Sequence, residues 1–295
     1  MDESQREWRS VWTEMMGSEV RMIKGKRFTT RAIEAGSGDP LILVHGVGGH
    51  AETYARNLLN LAQHFHVYAI DALFHGYSTK EGFDSENMTQ LQVEAIIDLL
   101  DAEGLKWAHV GGESMGSNIA FTMGLNYPDR CGKLILNTGA YFIKFNQTFV
   151  ERPGGGDELM RLSKAALMTP SRETMRARLN WLVADPARIT EEIVDVRVNL
   201  YTNPEIHESM LRVFGVTAPR ANPVRYDEED VKRLKPPALV FWTEKNPGAG
   251  PDVGEYFASL IPGAKYYLMM DAAHWPQWER PLEHDKALID FLKGS

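Results

Sequence analysis

Cysteine is almost absent: one residue, Cys131, in a chain of 295. A single thiol excludes an internal disulfide and a cysteine-built metal site, and it is compatible with a reducing compartment. Cys131 stands just ahead of the apolar run "KLILN", where a small packing residue is the plain reading. Long apolar stretches are missing too, and none approaches the ~20 residues of a membrane span. The opening segment "MDESQREWRSVWTEMM" carries charge throughout and shows no apolar core of a signal peptide. Positive charge is in deficit: 32 Lys and Arg against 40 Asp and Glu give a net charge of −8. That balance argues against general affinity for nucleic acid or an anionic membrane. Repeats and low-complexity tracts are absent. A cytoplasmic protein is expected.

What is present is an ordinary globular composition, 43% hydrophobic and 24% charged, with length for one large α/β domain carrying an insertion or for two small domains. "EVRMIKGKRFTTRAIEAG" reads as two antiparallel strands around Gly25. "PLILVHG" (Pro40 to Gly46) does not alternate, so it reads as a strand buried on both faces. "HVYAID" and "WAHVGGES" repeat the pattern, and between them Met88, Leu91, Ala95, Leu99 and Ala102 recur at helical spacing. "KLILN", "ALVFW" and "KYYLM" complete the series. Strands separated by helices mean right-handed crossovers and a mostly parallel sheet.

The rhythm breaks between Tyr141 and Tyr226, where helix-like stretches replace strands. Pro170-Ser171 reads as a helix start, Asp185-Pro186 as a stop, and Pro204 as a break. "RPGGGD" (Arg152 to Asp157) reads as a hinge. The expected organisation is a core of residues 1–140 and 227–295 with a helical cap, 141–226, inserted before the last two strands and lying over the strands' carboxyl ends.

Three stretches carry chemistry. "GGESMGSN" holds Gly112-Glu113-Ser114-Met115-Gly116, which fits G-x-S-x-G directly between a strand and a helix. The turn is too sharp for side chains at the glycines, and it thrusts the Ser114 hydroxyl above the sheet as a nucleophile. "HGVGGH" follows the first buried strand, so the Val47 amide can point where the Met115 amide points and form an oxyanion hole. "DAAHWPQWERP" follows the last strand and offers His274 as the base. His45 is expected to support the oxyanion loop; His64, His66 and His75 have weaker claims to chemistry.

With these motifs in that order, the chain resembles an α/β-hydrolase fold protein over nearly its whole length from about Val20. More narrowly, "YPDRCGKLILN", "LVADPARITEEIVDVRVNLYTNPE" and "AHWPQWE" resemble the meta-cleavage product hydrolases, which split carbon–carbon bonds in ring-opened aromatic catabolites. The resemblance implies that Arg197 binds a substrate carboxylate or dienol oxygen and that Trp275 lines the pocket. A guanidinium suits a planar oxyanion because it offers a rigid bidentate fork. Two positions depart from that pattern: Glu113 stands where Asn is usual before the nucleophile, and Thr53 stands near the place of another polar Asn in a shorter oxyanion loop. Both are carried as substrate-binding candidates. Phe74 replaces the small glycine usual in "DALFHGYS".

The resemblance also places a triad acid after "ALVFW", and there the chain has Asn246. A neutral amide can fix the ring tautomer through its carbonyl oxygen but cannot stabilise an imidazolium. Glu244, two residues earlier, is the second choice for the acid, with Asp252 and Asp271 behind it; Glu113 is expected to face away from the base. The leading expectation is serine-dependent hydrolysis of a carbon–carbon bond in a dienone acid. Ester or lactone hydrolysis, and a weakly active hydrolase-fold binding protein, are the alternatives. With that function go a small-molecule substrate, no metal and no cofactor, and a homodimer as one arrangement.

Overall fold

The side chains of Pro40–Val44 are all buried, as a strand covered on both faces requires. A computed structural model describes residues 10–220 and 225–294; the first nine residues of the polar leader, and residues 221–224 of the expected cap, lie outside it. The strands are β1 (Glu19–Lys24), β2 (Thr29–Ala35), β3 (Pro40–Val44), β4 (His66–Ile70), β5 (Ala108–Glu113), β6 (Cys131–Asn137), β7 (Ile143–Lys144), β8 (Tyr226–Asp227), β9 (Ala238–Thr243) and β10 (Lys265–Met269). Eight of them form one sheet in the order β1-β2-β4-β3-β5-β6-β9-β10. β1 and β2 pair antiparallel, β2 meets β4 antiparallel, and every pairing from β4 to β10 is parallel. Alternate residues of β3 serve opposite faces: Ile42 and Val44 pack in one apolar cluster, Leu41 and Leu43 in the other.

The helix predicted from its apolar spacing runs Met88–Ala102 and buries Met88, Val93, Ala95, Ile96, Leu99 and Leu100. Met115–Asn126 begins at the elbow after β5 and is buried nearly throughout its length, packed between the sheet and the helix Met88–Ala102.

Between β6 and β9 come the helices Gly156–Met168, Arg172–Asn180, Glu191–Thr202 and Pro204–Val213. Their starts follow the sequence signals. Ser171 makes a reciprocal capping box with Thr174, Thr190 caps the third helix through Ile193 N–H, and Asn203 caps the fourth, whose first residue is Pro204. Two details differ from expectation. The helix from Arg172 stops at Asn180, ahead of Asp185-Pro186, because Leu182 and Val183 turn back on Leu179 and Asn180. A stretch expected to lack strands contains β7, which pairs parallel with β8 and draws the ends of the insert together. The glycine-rich segment is fastened to the core: Arg152 donates to Gly248 and Glu244 carbonyls, and Gly154 accepts the Trp181 indole N–H at 2.6 Å.

Candidate active site

β5 runs into its helix through Ser114, which adopts φ 55° and ψ −108°. A non-glycine residue at positive φ is strained, and the strain lifts its side chain clear of the sheet. The turn closes only because its neighbours lack side chains: a Cβ on Gly116 would sit 2.1 Å from the Val44 carbonyl. Met115 is the first residue of the helix, so its amide is among the donors that no helical carbonyl satisfies. Opposite it, the loop after β3 is held by His45. The buried His45 ring is pushed down to about 3 and is neutral; its Nδ1–H donates to Gly46 O at 2.7 Å while Nε2 accepts Ala72 N–H at 3.1 Å. The support expected of His45 is thus its observed role. Val47 from this loop lines a cavity together with Ser114.

Adjacent parallel strands bring the last two loops together. Beyond β9, Glu244 N–H donates to Met269 O and Lys245 N–H to Ala272 O. The loop after β10 is pinned by Thr243 Oγ1 on Ala273 O and Thr138 Oγ1 on His274 O. Across these loops His274 Nδ1 lies 2.7 Å from Asn246 Oδ1. The amide is oriented by its other end, since Asn246 Nδ2 donates to Ala249 O at 3.0 Å. The oxygen therefore faces the ring, and Nδ1 carries a proton. Glu244 is elsewhere: one carboxylate oxygen accepts Asp271 N–H at 3.1 Å, because the chain turns after Thr243 instead of staying extended. Asp271 pairs with Lys245.

One expectation is overturned outright. Glu113 does not face away: its Oε1 stands 2.9 Å from His274 Nε2, and its Oε2 accepts Gly46 N–H at 2.9 Å. The strained elbow turns the side chain preceding the serine under the oxyanion loop. Gly46 leaves room for it, since a Cβ there would meet Oε2 at 2.4 Å. Thr53 is a second correction. It is buried in a short helical turn with its hydroxyl donating to His50 O, away from the cavity-lining residues.

The insert closes the cavity with cations. Arg197 is 1% exposed and walls the site beside Trp275, its guanidinium 6.0 Å from that ring. Its Nε and one terminal nitrogen have no partner. Burial lowers its pKa, and the neighbouring Tyr201 and Glu113 raise it. Arg178 also lines the cavity; it donates to Ser163 Oγ at 2.8 Å and leaves another nitrogen unpartnered. Burial, with the repulsion of Arg197, pushes Arg178 down to about 10. Trp181 presses edge-on to the His274 ring, centroids 5.0 Å apart. Arg178 and Trp181 were not singled out from sequence, yet Met175, Arg178 and Leu179 share one buried helical face, where a cation among apolar residues marks a buried charge. The free space in the cavity is small, about 10 Å³, room for a single water. Among the described residues no cluster of His, Cys, Asp or Glu could hold a metal, and no helix is long and apolar enough to cross a membrane.

The geometry combines an elbow serine facing the cavity, unspent backbone donors, an oriented imidazole and buried cations, a set suited to acyl chemistry on an acidic substrate. Known proteins agree in kind. The chain is 29% identical over 267 residues to a 2-hydroxy-6-oxononadienedioate/2-hydroxy-6-oxononatrienedioate hydrolase of Paraburkholderia phymatum, covering 88% of this chain and 89% of that one. It is 29% identical over 277 residues to a 2-hydroxy-6-oxo-6-phenylhexa-2,4-dienoate hydrolase of Comamonas testosteroni, covering 88% and 90%. A solved Rhodococcus hydrolase of the latter activity superposes with a TM-score of 0.81 at 24% identity, over 94% of this chain and all of that one. A carboxylesterase from Bacillus subtilis shares the fold with a TM-score of 0.72 at 18% identity, over 97% and 98%. The family model for the alpha/beta hydrolase fold matches residues 39–281, and the chain belongs to that family.

Proposed function

We propose that this protein is a serine-dependent hydrolase that cleaves a carbon–carbon bond in a 2-hydroxy-6-oxodienoic acid, the type of compound for which its relatives are named. Ser114 is the nucleophile and His274 the group that moves its proton. The Val47 and Met115 amides receive the oxyanion, Arg197 binds the substrate's carboxylate or enolate oxygen, and Trp275 forms the wall beside it. Asn246 holds the imidazole with its proton on Nδ1. The observation that carries this reading is Arg197: a wholly buried guanidinium with unpartnered nitrogens facing the nucleophile's cavity. An unpaired buried charge is costly, and a site that keeps one is built for the anion that completes it. A neutral ester offers Arg197 a carbonyl acceptor but no charge to pair with.

A panel of 2-hydroxy-6-oxodienoates, aryl esters and lactones tests the reading. The expected result is a kcat/KM for a dienoate exceeding that for any neutral ester, with covalent labelling of Ser114 by a fluorophosphonate. Preference for neutral esters, or turnover of the dienoate without Ser114, would refute it.

A further inference from the structure

The catalytic imidazole touches a carboxylate on the side where a serine hydroxyl is expected. Asn246 fixes a proton on Nδ1, so in a neutral ring Nε2 is a bare lone pair. Glu113 Oε1 at 2.9 Å is a second acceptor facing it. Two lone pairs do not approach this closely without a proton between them. One proton between them, as imidazolium with carboxylate or as imidazole with carboxylic acid, satisfies both atoms at this distance.

From this juxtaposition we infer that Glu113 supplies the negative charge that Asn246 lacks, acting on Nε2 of His274 instead of Nδ1. The inference rests on the Ser114 and His274 assignment above. A 2-hydroxydienoate enters as an electron-rich enolate, and the pair first gives its proton to the enolate carbon, producing a ketone. Glu113 is then a carboxylate beside neutral His274. The Ser114 O–H bond breaks, its proton goes to Nε2, and the Oγ–carbon bond forms. When the carbon–carbon bond breaks, the same proton passes to the departing carbon. Water then attacks the acyl-serine, giving one proton to Nε2 and thence to Ser114 Oγ. The carboxylic acid product returns the proton that restores the resting pair, so the balance closes as enolate plus water giving the protonated fragment and a carboxylate.

Glu113 is suited to hold this charge. Its other oxygen accepts the Gly46 N–H, Arg178 and Arg197 of the insert line the same cavity, and the phenols of Tyr54 from the core and Tyr141 from the start of the insert lie within its field.

The test is a double-variant cycle read by the fluorophosphonate labelling rate of Ser114 and by turnover of a 2-hydroxy-6-oxodienoate. Glu113→Asn should slow both by about 10²-fold or more. Asn246→Asp should leave both at or below the parent, because the ring would then be clamped as imidazolium between carboxylates. The double variant, which moves the carboxylate from one ring nitrogen to the other, should recover to within about 10-fold of the parent. A parental rate in Glu113→Asn, an acceleration in Asn246→Asp, or a double variant no better than either single one would overturn the inference. Folding of each variant is checked by thermal melting. Independently, the ¹⁵N signals of the His274 ring in the resting protein should show Nε2 carrying proton density that Glu113→Gln removes; a bare Nε2 unaffected by that change would also overturn it. A parent in which Ser114 never labels refutes the nucleophile assignment instead, and the ¹⁵N signals still decide the Glu113 pairing.

Discussion

His274 and Glu113 are joined through Nε2 at 2.9 Å, while the opposite ring nitrogen rests on a neutral amide, Asn246, at 2.7 Å. The ring thus has its charged partner and its neutral partner exchanged relative to an aspartate-supported imidazole. Ser114 remains at the strained elbow beside both. Rates, pH response and stability each report on this arrangement separately.

Ser114→Ala should lower turnover by more than about 10³-fold and leave thermal stability almost unchanged, since the elbow serine contributes chemistry and not packing. Steady-state kinetics with a melting curve checks both halves. Retained activity above a few per cent would displace the nucleophile.

Asn246→Leu removes the acceptor for a buried Nδ1–H. The orphaned donor should cost about 1–3 kcal/mol of stability. Activity should fall as well, because the ring loses its fixed tautomer. Chemical denaturation measures the first effect and kcat the second; a variant as stable as the parent would show that the 2.7 Å contact does not hold the ring.

Arg197→Met should move stability and activity in opposite directions. Removing a buried, incompletely partnered charge raises the melting temperature. Loss of a charge-assisted contact should lower kcat/KM on a dienoate about 10- to 100-fold and leave a neutral aryl ester little affected. Equal losses on both substrates would make Arg197 a structural residue.

Glu279 should make the fold sensitive to pH. Burial raises its carboxyl from 4.5 to about 7, against the opposing pull of the Ala273 and Ala184 N–H groups it accepts at 2.7 Å each. A folded value above the unfolded one means the stabilisation is complete below pH 4.5 and is lost as pH rises through 7. The span corresponds to on the order of 3 kcal/mol. Denaturant melts between pH 4 and 8 should show this slope in the parent and a flatter curve in Glu279→Gln.

The sequence made the sheet legible because its strands are short, uniformly apolar and separated by helical periods, and their order follows from chain connectivity. Ser114, His274 and Asn246 were legible for the same reason: each sits in the loop directly after a strand, where backbone alone fixes position. Glu113 was not. Its side-chain direction depends on the φ of Ser114 and on the space left by Gly46, which are tertiary facts with no periodic signal. Thr53 failed similarly, since a short helical turn hides its hydroxyl in a local bond to His50. Glu244 failed because the extended geometry assumed for it ends at Thr243.

The residues flanking His274 carry a further consequence. Ala273 N–H and Ala184 N–H share the Glu279 carboxylate, and Trp275 N–H donates to Leu182 O at 2.9 Å. The segment 182–184 of the insert and the histidine loop are therefore one mechanical unit. A cavity with room for one water must widen to admit an organic acid, but lifting the insert at this seam would drag the imidazole off both of its partners. The opposite flank is tied within the insert: helix Gly156–Met168, whose Leu159 lines the cavity, is bonded through Ser163 and Leu167 to Arg178 and His207, so its links to the histidine loop run through side chains and not through the His274 backbone.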